Sequence, residues 1–442
     1  MKESKKIPKL RAKDDLLQSP KGMRDLIGDD FYLFQGFFEK AAEVALYYGF
    51  QPIETPILEK EELFNRSVGE GTDIVSKEMY TLKTKGGDRL ALRPEFTPPI
   101  MRAYFEHGMQ SWPQPVMFYS FGPVFRHDSP QKGRYRQFYQ FNLEILGTQK
   151  SIADATIIMI VYTILKEVGL KDISVQVNSI GDGECRGIYK RELTNYYKKH
   201  LKDVCADCRE RLKINPLRVL DCKNPICQPI KDLAPESIAS LCPACKLHFR
   251  EVLEYLESMN IPYEINSNLV RGIDYYTRTA FEIVLTPDPR TNPEEQVVPL
   301  ALAGGGRYDG LAKILSGKKE LSAVGAGIGV DRVLLQENYT KLSPRIIKKP
   351  KVFFIQLSLD AKQKSFEVIE ALRKSRIPLA HSLSKDSLSI QLALAEKQEV
   401  PFVIILGQKE ALENTVIIRN MDNRSQDTVK IDKLAEYLKK NI

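Results

Sequence analysis

Within the segment FRHDSPQKGRYRQFYQFNLEILG, residues 125–147, four cations fall inside eleven positions: Arg126, Lys132, Arg134 and Arg136. Alternation on either side predicts two antiparallel strands, over 116–128 and 135–147, joined by the loop SPQKGR. Period-two geometry then puts Tyr135, Gln137, Tyr139, Phe141, Leu143 and Ile145 on a core face. Arg136, Phe138, Gln140, Asn142 and Glu144 share the opposite face, spread over ~25 Å at ~3.3 Å per residue. Guanidinium groups bind phosphate oxygens in pairs, and an aromatic ring beside them offers a stacking surface for a base. A long polar ligand with a nucleotide at its cationic end fits such a strand.

Other segments supply matching chemistry. In VGAGIGVDR, Gly325, Gly327 and Gly329 recur every second residue, which bares one strand face to a flat ligand. Arg332 follows at the start of a predicted helix, where a guanidinium meets a terminal phosphate. LVRGIDYYTRTAFEI places Arg271, Asp274, Tyr275 and Tyr276 at a turn between strand-like runs, and ALRPEFTPP puts Arg93, Glu95 and Thr97 at a strand-to-loop junction. GGGRYDG, at 304–310, fits neither the phosphate-loop nor the dinucleotide pattern and is equally suited to tight packing. No serine or cysteine nucleophile motif occurs, and the five histidines (107, 127, 200, 248, 381) lack metal-ligand spacing. Catalysis would therefore rest on positioning and electrostatic stabilisation. Six of the seven cysteines lie between 205 and 245, a local cluster of the kind that favours metal or free thiols in a reducing compartment. Its two C-x2-C knuckles predict a structural zinc on Cys205, Cys208, Cys242 and Cys245, with Cys222 and Cys227 as alternative ligands or spare thiols.

The elements that must position these groups can be traced along the chain. At 442 residues with 43% hydrophobic content, there is ample material for two or three domains. A basic tail, 1–18, precedes a long amphipathic helix over 29–48 that ends at Gly49. The tail reads as a solvated segment or, less simply, an arm touching RNA. The apolar run ATIIMIVYTIL, 155–165, is shorter than the ~20 residues that span a bilayer and reads as a buried helix. The N-terminus lacks the pattern of a secretory signal, so a cytoplasmic protein without membrane partners is expected. The net charge of +8 is compatible with a nucleic-acid or nucleotide partner without requiring one. Strand character on both sides of a charged, cysteine-rich stretch makes 183–258 an insertion within a domain spanning 19–336. After a linker over 337–350, alternating strands and helices predict a small α/β domain over 351–442.

Taken together, PKGMRD, RPEFTP, FRHDSPQKGRYRQFYQ, RGIDYYT, GGGRYDGL and GAGIGVDR resemble histidyl-tRNA synthetase, a class II aminoacyl-tRNA synthetase, in order along essentially the whole chain. The resemblance implies an α+β catalytic domain, an antiparallel sheet flanked by helices. It further implies an inserted helical, Cys-rich subdomain, a C-terminal α/β anticodon-binding domain and a homodimer. The implied reaction is ligation of L-histidine to tRNA(His) through histidyl-adenylate, with ATP as substrate and Mg2+ as its companion. By motif, Glu95, Thr97, Gln140, Glu144, Tyr275, Tyr276 and Tyr308 would bind histidine, together with Arg126 and Arg271. Asp128, Arg134, Phe138 and Arg332, again with Arg126, would bind ATP. Arg271 and Arg126 would be catalytic, Arg271 as a cation doing what related enzymes assign to a metal.

Three departures from the family pattern stand out. FRHD replaces FRHE, shortening Asp128 toward adenine; RPEFT carries Phe96 where glycine is commoner; and SLSIQLALAEKQ lacks the paired lysines often found after serine-leucine. The alternative function is a non-catalytic, synthetase-like regulatory subunit of ATP phosphoribosyltransferase. Such a subunit usually lacks both the anticodon domain and the arginine of RGIDYYT.

Overall fold

The computed structural model describes residues 16–69, 72–286, 301–345 and 349–441. The expectation for the basic tail therefore lies largely outside the described residues. Two compact units emerge, Met1–Pro344 and Arg345–Ile442.

The first unit is organised by an eight-stranded sheet. Its spatial order is Gln51–Pro52, Val116–Phe125, Gln137–Leu146, Ala323–Gly329, Ala303–Arg307, Thr277–Leu285, Ile173–Ser179 and Tyr263–Ile265. The six inner strands pair antiparallel, and only the two edge pairings are parallel. The predicted hairpin is real but shorter: its strands run Val116–Phe125 and Gln137–Leu146, leaving an eleven-residue connection, 126–136. Pro130 and the left-handed Gly133 (φ +75°) sit in that connection and end the ladder early.

One face of the sheet meets helices. Asp29–Tyr47 buries Phe34, Phe37, Ala41, Val44 and Ala45, and Ser151–Glu167 buries Ile157, Ile158, Ile160, Val161 and Ile164, in one core with Phe141, Leu143 and Ile145 of the hairpin. Each such side chain contributes about 1.5–3 kcal/mol when fully buried. The first helix stops where Gly49 turns left-handed at φ +85°. Helix Pro243–Ser258 joins this core through Phe249, Val252 and Leu256. The rest of the cysteine-rich stretch has a small core of its own, built from Tyr189, Leu193, Tyr197, Leu212 and Leu217. A second cluster contains Phe96, Ile100, Met101, Tyr104, Tyr275, Tyr276 and Tyr308, with Phe138 packed against it. It brings the RPEFT, RGIDYYT and GGGRYDG segments together.

The second unit carries five strands in the order Leu379–His381, Val352–Gln356, Phe402–Leu406, Thr415–Asn420 and Gln426–Lys430. The first three are parallel, and the last two form an antiparallel hairpin. Helices Leu359–Lys374, Leu388–Lys397 and Leu434–Asn441 accompany them.

Candidate active site

The sheet floors a cavity of about 590 Å³ lined by Glu95, Thr97, Arg126, Arg134, Phe138, Gln140, Asn142, Arg271, Tyr276 and Arg332. Four separate segments thus contribute these groups to one site. Of the glycines expected to bare a strand face to a ligand, Gly327 and Gly329 line the cavity and Gly325 does not. Gly325 pairs across the ladder with Glu144, and a Cβ there would lie 1.7 Å from Glu144 Oε2. A Cβ on Gly304 would lie 2.4 Å from Arg271 Nη1. Gly304 and Gly325 therefore make room for charged side chains, and Gly327 and Gly329 line the cavity beside them.

At one end two carboxyls are buried. Glu95 Oε2 accepts from Tyr275 Oη at 2.7 Å, while Glu95 Oε1 has no hydrogen-bond donor among the described residues. Glu144 accepts from Thr97 Oγ1 at 2.6 Å, from Asn142 Nδ2 at 2.7 Å and from the Tyr308 hydroxyl. Burial pushes both carboxyls up to about 7, with the hydrogen bonds opposing it. An unpartnered carboxylate oxygen in such a place awaits a donor from a ligand. Tyr276 lines the cavity, whereas Tyr275, Tyr308 and Glu144 stand behind its surface and fix the groups that do.

The other end is cationic. The Arg126 guanidinium lies 5.5 Å from the Phe138 ring centroid, and its Nε donates to Pro94 O at 3.0 Å. Arg332 donates from Nη1 to Ala301 O at 2.8 Å; burial, aided by the nearby Arg134 and Arg126, pulls it down to about 10. Mutual repulsion among cations held at fixed positions is relieved by a polyanion. Arg271 pairs with Glu282 and lies 5.9 Å from the Tyr276 ring centroid, and its Nε has no acceptor among the described residues. Arg134 pairs with Asp128 at 3.2 Å, so the shorter acid has found an ionic partner inside the loop.

Some sequence expectations resolve differently. Arg93 is fully buried and does not line the cavity; it donates to Thr55 O at 2.7 Å and Pro123 O at 3.0 Å. Its guanidinium covers the ring of Phe96, 4.2 Å from the centroid, so Phe96 points into the core instead of over the cavity. The expected quartet Cys205, Cys208, Cys242 and Cys245 is not brought together. Cys205 and Cys208 converge with Cys222 and Cys227, whereas Cys242 and Cys245 converge with Cys185 and Asp182. Spacing along the chain marks the knuckles but not their pairing, and the intervening helical turns return Cys222 and Cys227 to the first. Sequence reasoning assigned no role to Asn142, Glu282 or Asp331. Asp331 Oδ1 pairs with Arg24 of PKGMRD at 2.8 Å, and its Oδ2 accepts from Tyr139 N at 2.7 Å, tying the entry loop to the hairpin. Asn142 was visible as the member of the polar strand face between Gln140 and Glu144; the other two had no signal beyond charge.

An antiparallel sheet that floors a cavity with buried carboxyls at one end and convergent arginines at the other defines a class II aminoacyl-tRNA synthetase catalytic unit. Comparison with known proteins agrees. The family described as "Histidyl-tRNA synthetase" matches residues 22–182, and "Anticodon binding domain" matches 351–441. The chain is 40% identical over 427 residues to a histidine–tRNA ligase of Dehalococcoides mccartyi, covering 97% of this chain and 100% of the relative. To that of Desulfitobacterium hafniense it is 38% identical, covering 92% and 93%. The crystal structure of apo Staphylococcus aureus histidyl-tRNA synthetase superposes with a TM-score of 0.76 at 30% identity, covering 96% of this chain and 99% of that one. The chain belongs to the histidyl-tRNA synthetase family.

Proposed function

We propose that this chain carries out its family's reaction, the ATP-dependent ligation of L-histidine to tRNA(His), in the cavity just described. The observation that carries the reading is the polarity of that cavity, with Glu95 at one end, Glu144 behind the surface there, and Arg126, Arg134 and Arg332 at the other end. Histidine's α-ammonium goes to Glu95 Oε1, the carboxyl oxygen without a donor, flanked by Thr97 and Gln140. The imidazole lies along Tyr276. Glu144, with Thr97, Asn142 and Tyr308 around it, accepts the ring N–H in exchange for one of its present donors. Tyr275 holds Glu95 in place.

Adenine stacks on Phe138 near Asp128, Arg126 contacts the α-phosphate, and Arg134 and Arg332 hold the outer phosphates. Histidine's carboxylate oxygen attacks the α-phosphorus as the bond to pyrophosphate breaks. Arg126 and Arg271 stabilise the charge that builds on the phosphoryl oxygens. The terminal hydroxyl of tRNA then attacks the acyl carbon, and AMP leaves. Mg2+ accompanying ATP would offset phosphate charge as a hard cation with oxygen ligands, and Glu78 and Glu282, which line the cavity, would hold it. The reading as a phosphoribosyltransferase regulatory subunit is less supported, because the arginines are intact and the named ligases match nearly the whole chain.

The working form is a homodimer in the cytoplasm, with the C-terminal unit reading the anticodon. Leu46, Tyr47, Ile57 and Leu58 are exposed on either side, in sequence, of the edge strand Gln51–Pro52, and this apolar surface supports self-association. No described helix is long and apolar enough to cross a membrane, and no cysteine is in a disulfide.

The test of the roles is Arg271→Ala. Its histidine-dependent exchange of pyrophosphate into ATP should fall about 100-fold or more, while histidine affinity changes little. An equal collapse of binding and exchange would make Arg271 a ground-state contact instead.

A further inference from the structure

The Sγ atoms of Cys205, Cys208, Cys222 and Cys227 all lie within 4.8 Å of one another, and three of the four residues are buried. A disulfide requires sulfurs ~2.05 Å apart. Cys205 Sγ and Cys222 Sγ are 3.9 Å apart. Four thiolates arranged tetrahedrally around an ion at ~2.3 Å are separated by about 3.8 Å. The spacing is that of ligands around a common centre. Backbone amides also point at the sulfurs: Cys205 N donates to Cys227 Sγ at 3.2 Å and Asn224 N to Cys222 Sγ at 3.4 Å. Such outer hydrogen bonds orient metal-bound thiolates and spread their charge.

We propose that these four cysteines bind a zinc ion whose task is to hold one wall of the catalytic cavity. A soft, tetrahedral four-sulfur site selects zinc over hard cations. The chain between the two ligand pairs contains Arg211, Asn215 and Arg218. Arg211 and Arg218 reach Asp73 Oδ2 at 3.5 and 3.4 Å, and Asn215 Nδ2 donates to Asp274 Oδ1 at 2.7 Å. Asp274 lies three residues beyond Arg271. Cys205, Cys222, Arg211 and Arg218 themselves line the cavity mouth. The ion closes a loop whose tip leans on the segment carrying Arg271, in a stretch with little core of its own. The second cluster differs. Asp182 Oδ2 already accepts from the thiols of Cys245 at 3.3 Å and Cys242 at 3.6 Å, while its Oδ1 caps helix Gly183–Lys199. Its hydrogen-bonding capacity is met without an ion.

The site itself does not depend on the assigned reaction, so its test uses metal content and not activity. Full-length protein purified without chelator from zinc-supplied medium should carry zinc. Cys222→Ser should lose one equivalent, and Cys242→Ser should lose none. Cobalt exchanged into the wild-type chain should give the intense thiolate charge-transfer absorption of a four-sulfur site, a reading that needs no variant to fold. Chelation should expose Arg209, Arg211 and Lys213 to trypsin, and added zinc should restore protection. Zinc-free wild-type protein, iron in place of zinc, full zinc retention by Cys222→Ser, or cobalt spectra without thiolate bands would overturn the site. Unchanged trypsin protection after zinc removal would overturn its positioning role.

Discussion

Glu95 and Glu144 concentrate the chemistry of the site in two side chains. Their folded-state values of about 7 stand above the ordinary 4.5, so the folded chain holds protons that the unfolded chain has released. The unliganded protein should therefore lose stability from these two groups as pH rises from about 4.5 through about 7, the reverse of a salt-bridged acid. In the proposed reading, histidine binding needs Glu95 ionised to meet the ammonium. Calorimetry at pH 6 in buffers of different ionisation enthalpy should show proton release from the protein on histidine binding, shrinking toward pH 8. Release that is absent in wild type, or unaltered in Glu95→Gln, would contradict this account. Arg271, Glu95 and Gln140 were legible because their motif and strand-face position identified them. The recessed placement of Tyr275, Tyr308 and Glu144 was not, because depth behind a cavity surface depends on packing between segments more than a hundred residues apart.

At the scale of elements, the helix Ser151–Glu167 is pinned to the sheet by Asp154, which pairs with the fully buried Arg307 of GGGRYDG and lies 3.3 Å from His248 Nε2. Burial opposes ionisation of Asp154, but His248 and Arg307 win and hold it below the usual carboxylate range. Asp154→Ala leaves the Arg307 cation without its main partner and should cost about 3–5 kcal/mol in denaturant unfolding. A loss below about 1 kcal/mol would show that Asp309, 3.1 Å from Arg307 Nη1, suffices as its partner. The long helices and the catalytic hairpin were readable from periodicity. The hairpin Thr415–Asn420 and Gln426–Lys430 has no clear sequence signal, since the polar, exposed second strand shows no apolar alternation. The two-residue strand Gln51–Pro52 and the three-stranded sheet of Leu58–Lys60, Arg89–Leu92 and Thr81–Lys83 are too short for a periodic signal.

For the whole molecule, the order of motifs along the chain becomes an order in space: the C-terminal strand of the catalytic unit, Ala323–Gly329, inserts between Gln137–Leu146 and Ala303–Arg307, so the last motif completes the floor begun by the first hairpin. Pairings this distant in sequence make the sheet, and with it the site, slow to assemble. The proposed dimer should sediment at twice the 50.4 kDa chain mass. A monomer that retains full activity would remove the dimer from the account.

The central claim is that one polar cavity joins histidine to ATP, and isotope exchange tests it most directly. Purified chain given ATP, Mg2+ and labelled pyrophosphate, with each of the twenty amino acids in turn, should return label to ATP with histidine alone. Exchange without any amino acid, exchange sustained by a different one, or none with histidine in folded, ATP-binding protein would contradict the claim.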